Sequence, residues 1–139
     1  MEIDEIEEFL SNQQTGVLAL AANNDAYGIP VLFVYHGPDH NEIYFRFGYG
    51  GENRKRGFLD TVETANLVVY DNTEQGWYSV IARGPVTELT ESSIDAQIVQ
   101  YLNNLRIPYF RVFTKPEDSM EFSIVRLDMT ELTGVKAAR

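Results

Sequence analysis

Apolar and polar positions follow two different periods along this chain, and each change of period marks an element. Ile3, Ile6, Phe9 and Leu10 recur at helical spacing with acids between them, which predicts a short amphipathic helix over residues 2–10. The acids at its start suit the positive end of the helix dipole. Ser11-Asn12 and Thr15-Gly16 end it. Strand-like runs follow over 17–21 and 27–35, joined by the turn residues Asn23-Asn24-Asp25, so the pair reads as a hairpin. Residues 36–41 form a second turn and 42–47 a third strand, before Gly48, Gly50 and Gly51 interrupt the pattern.

Beyond the glycines, Phe58, Leu59 and Val62 give residues 52–62 the buried stripe of a short helix. Residues 66–70 read as strand, 71–76 as turn and 77–89 as one long strand. Gly84-Pro85 inside that strand implies a bulge, a bend or an edge, because proline gives no N–H to a ladder. Ile94, Ile98, Tyr101, Leu102 and Leu105 share one face of a helix over 91–105, with Ser92 and Asp95 placed to cap its start. Strands over 109–114 and 121–128 complete the reading. Many short strands with few helices indicate an α+β domain, mainly β, built as a barrel or sandwich and not as a doubly wound sheet.

At 139 residues, 44% of them hydrophobic, the chain suits one domain spanning 1–139. It has no cysteine, which removes disulfides, thiolate metal ligands and a cysteine nucleophile. Its formal net charge of -10 opposes general nucleic-acid binding. Many acids with only three lysines match either an ordinary acidic surface or one adapted to high salt. No apolar run is long enough to span a membrane, and the acidic start lacks the pattern of a signal peptide, so a cytoplasmic protein is expected.

Arg54-Lys55-Arg56 is the most unusual local feature: three of eleven bases sit together after a glycine-rich turn, at the start of a predicted helix. Such a run is either a solvated helix face or a phosphate site, where backbone N–H groups join guanidinium and ammonium groups. It is not a P-loop, since the Gly-x4-Gly-Lys-Ser/Thr pattern is absent. His36 and His40 flank Gly37-Pro38 and read as solvated turn residues; with no cysteine and no third histidine, no metal site is expected. No nucleophile elbow is present. The seventeen aromatic residues fall largely on strands and read as core, though some suit stacking on a planar cofactor.

Taken in order, several segments resemble a known family. They are Thr15-Gly16-Val17-Leu18-Ala19, Tyr27 through Tyr35, Ile43-Tyr44-Phe45-Arg46-Phe47, Asn53-Arg54-Lys55, Trp77 through Val86, and Ile124 through Asp128 with Leu132-Thr133-Gly134. Their order and spacing resemble the pyridoxamine 5'-phosphate oxidase-related split barrels, especially the branch of the nitroimidazole-resistance proteins, over nearly the whole chain. The resemblance implies a split β-barrel with a few short helices. It also implies a homodimer holding FMN at the subunit interface, with a small-molecule substrate.

On the same resemblance, Ile29, Pro30, Val31 and Leu32 run beside the flavin ring and offer backbone hydrogen bonds. Arg46, Asn53, Arg54 and Lys55 hold the phosphate, and Trp77 and Ser79 approach from the same or the partner subunit. Arg46 stands where the family often has a small polar residue or histidine, and Asn53 where it has serine or glycine. The expected function is an FMN-dependent oxidoreductase passing electrons from a nicotinamide donor to a small molecule. The alternatives are a non-catalytic flavin carrier, or a barrel that takes haem, with His36 as first ligand candidate, or a deazaflavin.

Overall fold

The computed structural model describes residues 1–22, 24–37, 41–49, 64–89 and 121–138, with isolated positions 96 and 100, both helical. The helix predicted over 52–62 and the strand over 109–114 lie outside these residues, as does nearly all of the helix over 91–105.

One helix and eight strands are described: α1 (Ile3–Ser11), β1 (Thr15–Ala22), β2 (Asp25–His36), β3 (Glu42–Tyr49), β4 (Ala65–Thr73), β5 (Gly76–Gly84), β6 (Val86–Leu89), β7 (Glu121–Asp128) and β8 (Glu131–Ala138). All strand pairs are antiparallel, in the order β6-β7-β3-β2-β1-β4-β5-β8. Two crossings bring the ends of this order together. β5 continues into β6 with only Pro85 between them, and β7 continues into β8 through Met129-Thr130. Where these runs cross, the Asp128 N–H donates to the Pro85 carbonyl (3.0 Å) and the Thr130 N–H to the Arg83 carbonyl (2.8 Å). The sheet therefore curls into a barrel, and the bend predicted at Gly84-Pro85 is the point where the chain leaves one partner for another.

Alternation along each strand sorts the residues into two faces. Leu18, Phe33, Phe45, Leu67, Val80 and Leu127 point inward and are fully buried, each on a different strand. α1 covers this interior. Its predicted stripe is observed, with Ile6 and Leu10 in the core and the Phe9 ring stacked 5.8 Å from that of Tyr78. Polar ties hold it in place: the Met1 ammonium donates to the Gly134 carbonyl (3.2 Å), and Lys136 Nζ lies 2.6 Å from Glu5 Oε2.

Three details differ from the sequence reading. The long strand over 77–89 is two strands, divided at Pro85. The turn over 71–76 shrinks to Glu74-Gln75, because Asp71, Asn72 and Thr73 pair with Tyr78, Trp77 and Gly76. Strand β8 extends the sheet where no strand was expected. Its small and polar residues have little strand propensity, but a full register with β5 holds them.

Candidate functional site

β2 is the longest of the described strands, yet β3 pairs with only its second half, from Leu32↔Arg46 to His36↔Glu42. From Asp25 to Val31 it is laddered to β1 alone among the described strands. The Phe33 N–H donates to the Gln14 carbonyl on the β1 side (2.9 Å). Alternation then turns the backbone groups of Val31 and Ile29 toward β1, and those of Pro30 and Gly28 toward the edge that β3 has left. This explains a proline in mid-strand: its missing N–H falls where no ladder needs it. Among the described strands the barrel splits here, and the Pro30 carbonyl with both backbone groups of Gly28 lines the split.

This sorts the residues predicted for the cofactor. Ile29 and Val31 are buried core residues whose backbone serves the β1 ladder, so they are not contacts at this edge. Pro30 and Leu32 face outward, Pro30 exposed and Leu32 half-buried. Arg46 is paired with Leu32, at the last rung before the split. Trp77 and Ser79 lie on β5, separated from β2 by β1 and β4. Through Val17 and Val68 the residue of β5 in register with Pro30 is Ile81, three strand spacings or about 14 Å away, and Ser79 and Trp77 lie farther along β5, about 16 and 20 Å from Pro30 across one outer face. Trp77 is exposed there and stacks on Tyr70, with ring centroids 5.3 Å apart. Asn53, Arg54 and Lys55 lie outside the described residues.

The same outer face carries a group of side chains that the sequence reading missed. His36 is not a turn residue but the last of β2, opposite Glu42. His36 Nδ1 lies 3.4 Å from Glu42 Oε2, and the Tyr44 hydroxyl donates to the same oxygen (2.5 Å). Arg126 stands opposite Tyr44, with its Nε 3.0 Å from Asp128 Oδ1. Burial works to raise the Glu42 carboxyl, but hydrogen bonds from Tyr44 and His36 and the charge of Arg126 outweigh it and hold the group below its ordinary value. Burial, then the bond to Glu42 and its charge, push the Tyr44 phenol up to about 12. Tyr44 is itself buried, packed with Val34, Leu89 and Ile124 beside the charged groups. The only signal in the sequence was Glu42-x-Tyr44, a strand spacing that puts both side chains on one face.

A family model described as pyridoxamine 5'-phosphate oxidase matches residues 2–136. The chain belongs to this family. No curated protein sequence matches it at significant similarity. Solved structures of the pyridoxamine 5'-phosphate oxidase-like kind share its fold along nearly all of its length. An FAD-binding protein from Mesorhizobium loti superposes with a TM-score of 0.72 at 16% identity, covering 99% of this chain and 96% of the other. An FAD- and haem-binding protein from Mycobacterium smegmatis gives 0.69 at 12% identity, over 99% and 72%. A structure from Bacteroides thetaiotaomicron named for 5-nitroimidazole antibiotic resistance gives 0.64 at 13% identity, over 96% and 82%. At these identities the likeness establishes the fold, which is the split barrel expected from the sequence.

Proposed function

We propose that this protein binds a flavin, FMN in particular, and uses it to pass electrons from a nicotinamide donor to a small molecule. The observation that carries the reading is the edge of β2 that no described strand pairs with. A flat ring with amide-like donors and acceptors is matched by the Pro30 carbonyl and the Gly28 backbone groups, beside Leu32 and Arg46. The flavin-binding relatives of the same fold support it. FMN is favoured because Arg54-Lys55-Arg56 suits a terminal phosphate through charge-assisted bonds. The flavin would supply the redox chemistry; the protein's part is to bind and orient it and to set the electrostatics around it.

The site belongs to a homodimer. One protomer holds Pro30 and Trp77 about 20 Å apart on a single face, so a ring at the β2 edge meets the Tyr70–Trp77 pair and Ser79 only when a partner supplies them.

The test is the absorption spectrum of the purified protein before and after FMN is added and the excess removed. Bands near about 370 and 450 nm mark a bound flavin, and bleaching by NADH or NADPH separates an oxidoreductase from a carrier. Mass spectrometry of the released cofactor separates FMN from FAD. A Soret band would instead assign the barrel to haem, with His36 as the ligand to substitute. A colourless protein that refuses all of these overturns the proposal.

A further inference from the structure

Strand pairing sets Pro30, Val17, Val68, Ile81 and Thr133 in one row across β2, β1, β4, β5 and β8, so their side chains share one outer face. Tyr70, Trp77 and Val135 stand exposed on the same face. Among the described residues its only charges are Arg83 and Glu131, which lie opposite each other toward one corner and cancel. The chain as a whole carries 21 acids and a net charge of -10, so its charge is segregated away from this face. Asp4, Glu5, Glu7 and Glu8 are on α1, which packs on the other side of β5 and β8, with Phe9 on Tyr78 and Glu5 on Lys136.

This segregation selects the occupant of the face. A basic partner would be drawn to the acids, which lie elsewhere. In a two-fold pairing each patch meets a copy of itself, so an excess of one charge on it would oppose itself. A neutral, apolar patch lets two acidic chains meet without facing carboxylates. The remaining charge still acts. Each copy brings its net -10, and the two repel through solvent. Salt screens this repulsion: the Debye length is about 30 Å at 0.01 M and about 8 Å at 0.15 M. Burial of the apolar face does not depend on screening. The attraction is therefore nearly constant, and ionic strength sets the repulsion.

We infer that ionic strength governs the pairing of two copies through this face, and with it the flavin site: the dimer is complete at moderate salt and comes apart at low salt. The inference rests on the proposed flavin site shared between protomers and adds its regulation. Its sign is opposite to that of a site formed within one chain. There, salt would screen the attraction between the cofactor phosphate and Arg54-Lys55-Arg56 and weaken FMN. Here, salt restores the partner's Trp77 and the partner's Ser79, and FMN is held more tightly.

The experiment uses the full chain with FMN added, in sodium chloride from about 10 mM to 500 mM. Sedimentation equilibrium reads the dimer, and flavin absorbance of the protein fraction reads the cofactor. The dimer dissociation constant should fall about 100-fold between about 10 and 300 mM and then level off, with flavin retention rising in step. Asp4→Lys with Glu8→Lys removes four of the ten negative charges at exposed positions of α1, away from the face. Repulsion scales with the product of the two net charges, so this variant should pair more tightly at low salt and respond only about fivefold. A wild-type salt response in the variant, a dimer constant that ignores salt, or a monomer at every salt overturns the inference. Flavin retention that falls as salt rises overturns the link between dimer and site and leaves the flavin reading intact. Salt-governed pairing without flavin uptake at any salt overturns the flavin reading alone.

Discussion

A Cβ on residue 84 would lie 1.8 Å from the Asp128 carbonyl oxygen, so Gly84 and Asp128 meet backbone to backbone where the two strand runs cross. The next contacts, 2.8 Å to the Asp128 carbonyl carbon and 3.2 Å to the Thr130 nitrogen, are also backbone, with no flexible side chain to yield. Gly84→Ala must therefore force apart the hydrogen bonds that close the barrel. It should cost about 2–4 kcal/mol, at or above the upper range for overpacking, seen as a lower urea midpoint at constant m. An unchanged midpoint would mean that the crossing is not a tight closure.

The helix makes a contrasting case. Leu10 is fully buried under the barrel, and Leu10→Ala should lose about 2–5 kcal/mol through lost transfer energy and the cavity left behind. The Glu5–Lys136 pair is shorter and looks stronger, but both side chains stand in solvent. Glu5→Gln should leave the urea midpoint within error, because exposed pairs gain little over hydration. If Glu5→Gln matched Leu10→Ala, the helix would be held by charge and not by packing.

Most of the barrel was legible because its strands alternate cleanly. Phe33 and Phe45 announce an inward face, and the hairpin at Asn23-Asn24-Asp25 is written in turn residues. β8 was not legible: Gly134, Lys136 and Ala137 carry no strand signal, and only pairing with β5 makes them one. The site divides in the same way. A run such as Ile29–Leu32 can be placed beside a ligand by resemblance, but which backbone groups face it depends on where β3 leaves β2. That depends on pairing between distant segments. Glu42 and His36 read as strand and turn residues, and only the register sets them side by side.

Glu42 and Tyr44 give opposite limbs of a stability–pH curve. The Glu42 carboxyl is held below its ordinary value, so its contribution is present above the unfolded carboxylate range and is lost as pH falls through the folded value. The Tyr44 phenol is raised to about 12, so its contribution is complete below the unfolded value near 10 and is lost as pH rises between the two. That alkaline loss is on the order of 2 kcal/mol. Tyr44→Phe should flatten the curve above about pH 10, and Glu42→Gln the acid limb below about pH 5. Urea midpoints taken across both ranges check this. Parallel curves for variant and wild type would mean that the pair is not formed in solution.

The outer face sets the last expectation. Tyr70, Trp77, Ile81 and Val135 are 55%, 40%, 44% and 63% exposed in one protomer, all on the same side of β4, β5 and β8. Large apolar side chains clustered on one face mark a surface that a partner covers. If that partner is a second copy, sedimentation should give twice the 15.8 kDa of one chain, and Ile81→Lys with Val135→Lys should return it to one. Both positions point away from the core, so the variant keeps its fold while burial of two ammonium groups becomes prohibitive. Flavin content then decides how the site is shared. Loss of flavin together with the dimer would show that Trp77 and Ser79 act across the interface. A monomer that keeps its flavin would place the whole site at the β2 edge of one chain, and the aromatic face would need another explanation.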